Sequence, residues 1–133
     1  MSAHPTVLVV DDDERIIAAF EEFFRRERYT MIAATSAIEA LQKAKEIQVD
    51  LLITDIRLKE QSGVTLFMRM KEDFPSAPVI VITGYPDVIS EEELRTLGAD
   101  AMLVKPLDLE RLRETIRSAM QHRVYRADKP RYA

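Results

Sequence analysis

Apolar residues along the chain follow two alternating rhythms. Val7 to Val10 and Val79 to Ile82 are apolar throughout, which reads as strand covered on both faces, because a half-exposed strand would alternate. Thr30 to Ala34, Asp50 to Thr54 and Ala101 to Val104 supply three further predicted strands. Between the strands the spacing changes to threes and fours, the period of a helix with one buried face. Ile16, Phe20, Phe23 and Phe24 define a first helix, and Ala37, Ala40, Leu41, Ala44 and Ile47 a second. Gly63 to Phe74 is a third, ended by Pro75. Leu94 and Leu97 belong to a fourth that stops at Gly98, and Leu109, Leu112, Ile116 and Met120 face inward on a fifth. Ser36 with Glu39, and Ser90 with Glu93, have capping-box spacing, and Asp108 is placed to cap the last helix. The fourth helix is short and weakly amphipathic, which fits a movable element and equally a helix that is merely short.

Five strand–helix units with all-apolar strands imply an α/β fold: a five-stranded parallel sheet with helices on both faces, joined by right-handed crossovers. The expected strand order is the flavodoxin-like 2-1-3-4-5. In such doubly wound sheets ligands bind at the carboxyl ends of the strands where the order reverses, beside strands 1 and 3.

Composition narrows the classes of function. The 133 residues are 47% apolar and 32% charged, which suits one ordinary globular domain. Without cysteine there are no disulfides, thiol nucleophiles or thiolate metal sites. The fully apolar runs are far too short for a membrane span or a signal-peptide core, so the expected setting is soluble and cytoplasmic. The net charge is −4, unevenly placed: from His122 onward Arg123, Arg126, Lys129 and Arg131 face Asp128 alone, a local +3 that leaves −7 on residues 1–121. So acidic a body offers no broad basic face for nucleic acid, and direct DNA binding is not expected.

Candidate chemistry gathers at the predicted strand ends. Asp11, Asp12 and Asp13 follow strand 1, and Asp55 follows strand 3. Neighbouring strands would bring Asp11, Asp12 and Asp55 within a few ångströms, where like charges raise one another's pKa unless a cation lies between them. Oxygen donors without His or Cys favour a hard cation, and a few carboxylates with room for water suit magnesium better than a closed calcium cage. Any single Asp after a strand is more simply a helix cap, and Asp13 keeps that reading. Thr83 ends strand 4 and Lys105 ends strand 5. Separately they are a turn threonine and a surface lysine. Together with the acids they form a nucleophile, a metal site, a hydroxyl and an ammonium, the groups that phosphoryl transfer needs.

The segments VLVVDDD, LLITDIRL, VIVITGYPD and LVKP closely resemble the receiver domains of two-component response regulators. The resemblance covers about residues 5–121 and leaves 122–133 as a short basic tail or the start of a linker. It implies that Asp11 and Asp12 form the acidic pocket, that Asp55 is phosphorylated, that Thr83 is the switch hydroxyl and that Lys105 contacts the phosphoryl group. It further implies Mg2+ on Asp11, Asp12, Asp55 and the backbone carbonyl of Arg57, and a cis bond between Lys105 and Pro106. The implied reaction is attack by Asp55 on a phosphohistidine of a histidine kinase or phosphotransfer protein. A phosphoacceptor of this kind promotes only its own phosphotransfer and hydrolysis. The implied output is a shift of the face formed by helix 4, strand 5 and helix 5 toward a form read by a downstream protein or effector domain, and that face is also a candidate homodimer surface.

Two positions depart from the usual pattern. Met102 stands where strand 5 often carries an aromatic switch, and no proline follows Arg57 by two residues, which predicts a looser loop at 57–63. Arg57 and Tyr85, each two places beyond a site residue, are large enough to hinder water and slow dephosphorylation, and equally fit plain solvated loop residues. The stand-alone regulator and the receiver fragment of a longer one are both compatible with the sequence. A flavodoxin-like electron carrier would share the fold, but Asp11 to Asp13 would repel a flavin phosphate. A phosphohydrolase built on Asp55 would want a second Asp where this chain has Arg57.

Overall fold

A computed structural model of the chain describes residues 4–58 and 62–127. The elements follow in strict alternation: β1 (Thr6–Val10), α1 (Glu14–Arg25), β2 (Thr30–Ala34), α2 (Ala37–Ala44), β3 (Leu51–Asp55), α3 (Gly63–Asp73), β4 (Val79–Thr83), α4 (Glu91–Thr96), β5 (Ala101–Val104) and α5 (Leu109–Ala127). All strand pairs are parallel, and the sheet order is β2-β1-β3-β4-β5, as expected.

Alternation along the strands divides the core in two. Leu8, Val10, Leu52, Val79 and Val81 face one way and pack with Ala40 of α2, Leu66, Phe67 and Met70 of α3, and Leu94 of α4. Val7, Val9, Leu51, Ile53, Ile80, Ile82 and Leu103 face the other way, against Phe20, Phe23 and Phe24 of α1 and Leu112, Ile116 and Ala119 of α5. Both faces of β1, β3 and β4 are thus sealed, which is why their sequences show no polar alternation. The lower rim is pinned by two acids: Asp50 Oδ2 accepts from Thr6 N–H, and Asp100 Oδ2 from Val79 N–H, each at 2.8 Å. Asp50 therefore precedes β3 rather than opening it, and the strand reaches instead to Asp55.

Three details of the helices differ from the pattern reading. Ile17 is the buried isoleucine of α1, while Ile16 is only partly covered. Leu109 is exposed at the start of α5, and Leu112, Ile116 and Ala119 form its buried face with Met120 only partly covered. The Ser36 hydroxyl caps α2 through Glu39 N–H, but the Glu39 carboxylate turns to Thr35 N–H, so the reciprocal bond is displaced by one residue. The box at α4 is complete in both directions, between Ser90 and Glu93. Gly98 follows that helix with φ 113°, a left-handed conformation that any side chain would strain. Helix α5 continues to Ala127. None of the described helices is long and apolar enough to cross a membrane.

Candidate functional site

The carboxyl ends of β1 and β3 stand side by side, with Val10 paired to Thr54, so the residues that follow Val10 meet the last residue of β3. Asp11 is fully buried and is fixed by its backbone N–H to the Ala34 carbonyl at 3.1 Å. Its Oδ1 accepts from Asp13 N–H at 2.8 Å. Asp55 is also buried, and its Oδ1 accepts from Arg57 N–H at 2.9 Å. One carboxylate oxygen from each of Asp11, Asp12 and Asp55 lies within 4.8 Å of the others. Asp13 stands apart: it caps α1 through Arg15 N–H and pairs with the Arg15 guanidinium, which holds its carboxyl below the usual range.

Lys105 enters from the far side of β4. Its backbone N–H bonds the Thr83 carbonyl at 2.8 Å, and the following peptide to Pro106 is cis. From there Nζ donates to Asp55 Oδ2 at 2.7 Å and lies 3.0 Å from Asp11 Oδ2. The second contact is Coulombic only. Asp11 Oδ2 has no hydrogen-bond partner despite complete burial, a costly state for a carboxylate oxygen. Burial, reinforced by the charge of Asp55, pushes the Asp11 carboxyl up against the opposing pull of Asp13 N–H and Lys105. Burial also works against the Lys105 ammonium, but its ion pairs with Asp55 and Asp11 outweigh it and the net shift is upward. One ammonium thus serves two carboxylates, and a third, Asp12, stands beside them. This all-oxygen set, with an orphaned buried oxygen facing it, fits a small hard divalent cation.

Thr83 closes β4 and is fully buried; its hydroxyl accepts from Tyr85 N–H at 2.9 Å. It lies on the sheet face of Val81 and pairs in register with Val104, two positions beyond the pair Val81 and Met102. Met102 is partly buried on the same face, packed with the α2, α3 and α4 core. The residues singled out from the sequence, Asp11, Asp12, Asp55, Thr83 and Lys105, therefore meet at one rim of the sheet. Arg57 contributes its amide to Asp55, and its guanidinium carbon lies 4.8 Å from the centre of the Tyr85 ring. Lys59, at the position of the missing proline, and Glu60 and Gln61 lie outside the described residues.

Gly63 is a contributor that the pattern reading used only as a helix start. Its N–H bonds the Ile56 carbonyl at 2.8 Å, and a Cβ at this position would stand 1.9 Å from the Asp55 carbonyl oxygen. Only glycine lets α3 approach the strand end that presents Asp55. The available signal was a glycine directly after Ser62, which caps α3 through Val64 N–H.

The family model for the response regulator receiver domain matches residues 7–117, and the chain belongs to that family. Phosphorylation on aspartate is the function by which the family works in two-component systems. Among curated proteins the chain is 35% identical over 115 residues to the polar-differentiation response regulator DivK of Brucella ovis, covering 85% of this chain and 94% of that one. It is 34% identical over 116 residues to the transcriptional regulatory protein ZraR of Klebsiella oxytoca, covering 87% of this chain but 26% of that protein. The chain thus spans about a quarter of the ZraR proteins that it matches. Among solved structures it resembles the signal receiver domain of an HD domain-containing protein from Pseudomonas fluorescens, with TM-score 0.85, 28% identity and coverage of 98% and 96%. A CheY-like receiver domain protein from Methanospirillum hungatei gives TM-score 0.83 at 28% identity, covering 92% of this chain and 98% of that one.

Proposed function

We propose that Asp55 accepts a phosphoryl group from the phosphohistidine of a histidine kinase or histidine phosphotransfer protein, in a reaction that requires Mg2+. The observation that carries this is the meeting of three carboxylates and the Lys105 ammonium around one strand-end aspartate. Asp55 Oδ attacks phosphorus, the phosphorus–nitrogen bond of the donor breaks, and its electron pair returns to the imidazole. A magnesium ion held by Asp11, Asp12, Asp55 and the Arg57 carbonyl would spread the charge of the group in flight. Lys105, already on Asp55, passes to a phosphoryl oxygen, and the Thr83 hydroxyl donates to another. The product is an acyl phosphate that water hydrolyses.

The output reading rests on Thr83 and Met102 sharing the α4 side of the sheet. Movement of Thr83 toward the phosphoryl group shifts the α4–β5–α5 face in population. A groove of about 280 Å³ already lies there, lined in part by Arg95, Ala101, Met102, Arg111 and Ser118, and suits a downstream protein or a second copy. Residues 5–121 form the receiver, which we place in the cytoplasm with its kinase. The matched relatives include both architectures, DivK matched over 94% of its length and ZraR over 26%, so the stand-alone regulator and the receiver within a longer protein each have a relative behind them.

The test is labelling by a small-molecule phosphoryl donor such as acetyl phosphate. Acid-stable, hydroxylamine-labile label should appear with Mg2+, vanish with chelator and vanish in Asp55→Asn. Label that persists in Asp55→Asn overturns the assignment, and capture of partners with and without beryllofluoride then separates the two output readings.

A further inference from the structure

Arg57 and Tyr85 are tied to the site in matching ways. Each follows a site residue by two positions and donates its backbone N–H to that residue's side chain, Arg57 to Asp55 Oδ1 and Tyr85 to Thr83 Oγ1, both at 2.9 Å. Their side chains then meet, guanidinium over ring, and bridge the loops that leave β3 and β4. Among the described residues Arg57 forms no ion pair, whereas Arg15, the other arginine of this rim, is engaged by Asp13. Tyr85 is largely exposed, so burial does not hold the ring in place. The stack is a cation resting on a neutral partner, two residues from the group that gains charge.

We propose that Arg57 is a second phosphate-sensing cation, parked on the Tyr85 ring until Asp55 is phosphorylated and then drawn to the phosphoryl oxygens. This rests on the reading of Asp55 as phosphoacceptor. A charge-assisted hydrogen bond from guanidinium to a phosphoryl oxygen outweighs an exposed cation–π contact, and the planar fork suits that acceptor. Freed of the guanidinium, Tyr85 reports the state of the site to the β4–α4 loop. Its amide already holds the Thr83 hydroxyl, so a shift of Thr83 and the departure of Arg57 act on the same residue. With methionine at 102, Tyr85 is the aromatic side chain closest in sequence to the switch hydroxyl.

The experiment follows the Arg57 side-chain Nε–H resonance of the full chain in Mg2+, before and after beryllofluoride. Before addition, the Tyr85 ring current should displace it upfield relative to Tyr85→Leu; after addition, the displacement should disappear. Removing the competing ring should tighten beryllofluoride binding about two- to fivefold in Tyr85→Leu, and Arg57→Gln should loosen it. An Arg57 resonance that stays upfield while the Asp55 and Lys105 signals respond overturns the proposal and leaves the phosphoacceptor reading intact. Silence at Asp55 and Lys105 as well overturns both.

Discussion

Lys105 Nζ donates to Asp55 Oδ2 at 2.7 Å, although their strands are separated by β4. The same ammonium stands 3.0 Å from Asp11 Oδ2, so one flexible cation neutralises the two buried acids of the site. Lys105→Met leaves both carboxylates without it. Metal-free stability should fall by roughly 2 kcal/mol in urea unfolding, and added Mg2+ should narrow the gap. Phosphoryl labelling should drop about tenfold or more, because a donor to the transferring group is lost. Unchanged labelling would show that the lysine serves the fold alone.

Asp11 is predicted to behave in the opposite way. Its Oδ2 is buried without a hydrogen-bond partner, and burial together with the charge of Asp55 outweighs the nearby Lys105 ammonium, while its Oδ1 satisfies Asp13 N–H. Asp11→Asn keeps the useful acceptor and removes the charge. In the absence of divalent ions the variant should be more stable than the parent by about 1 kcal/mol. The parent should gain stability on Mg2+ addition and the variant should not. Equal gains in both proteins would remove Asp11 from the metal site.

Gly63→Ala tests the packing that presents Asp55. The added methyl would meet the Asp55 carbonyl oxygen, a backbone atom with no rotamer to change. Stability should fall by about 3 kcal/mol or more, and the amide signals of Asp55 and Ile56 should shift. Ser62→Ala, which removes only the cap of α3, should be milder at about 1 kcal/mol.

The cap of α4 is sensitive to acid. Ser90 N–H holds the Glu93 carboxyl below the ordinary 4.5 of a glutamate. A depressed pKa means that the ionised acid stabilises the fold, so this contribution is complete above pH 4.5 and is lost as pH falls through the lowered value. Amide protection at Ser90 and through α4 should decline over that acid range in the parent, and the decline should be absent in Glu93→Gln.

Much of this was legible in the sequence because the three central strands, β1, β3 and β4, are buried on both faces. An all-apolar run marks a covered parallel strand, so the five strand–helix units and the rim that carries the acids follow from patterning, and the strand order is the one expected of the fold class they imply. Asp11, Asp12, Asp55, Thr83 and Lys105 were readable as strand-end residues. Their contacts were not, because the reach of Lys105 across β4 depends on rotamers and on the cis peptide after it. Glu39 shows the same limit: capping-box spacing fixes the first bond, but Thr35 and Ser36 compete for the second within one residue. The Arg57–Tyr85 stack joins two loops, where periodicity carries no information.

Helix α4 is six residues long and buries Leu94 alone. Its grip on the sheet therefore comes down to one side chain, and trimming that side chain is a way to adjust how readily the helix departs without touching the acidic pocket. A Leu94→Val or Leu94→Ala series would act as a gain control: sensitivity to phosphorylation would be graded by a position far from phosphorus, and chemistry and responsiveness could diverge independently in related chains.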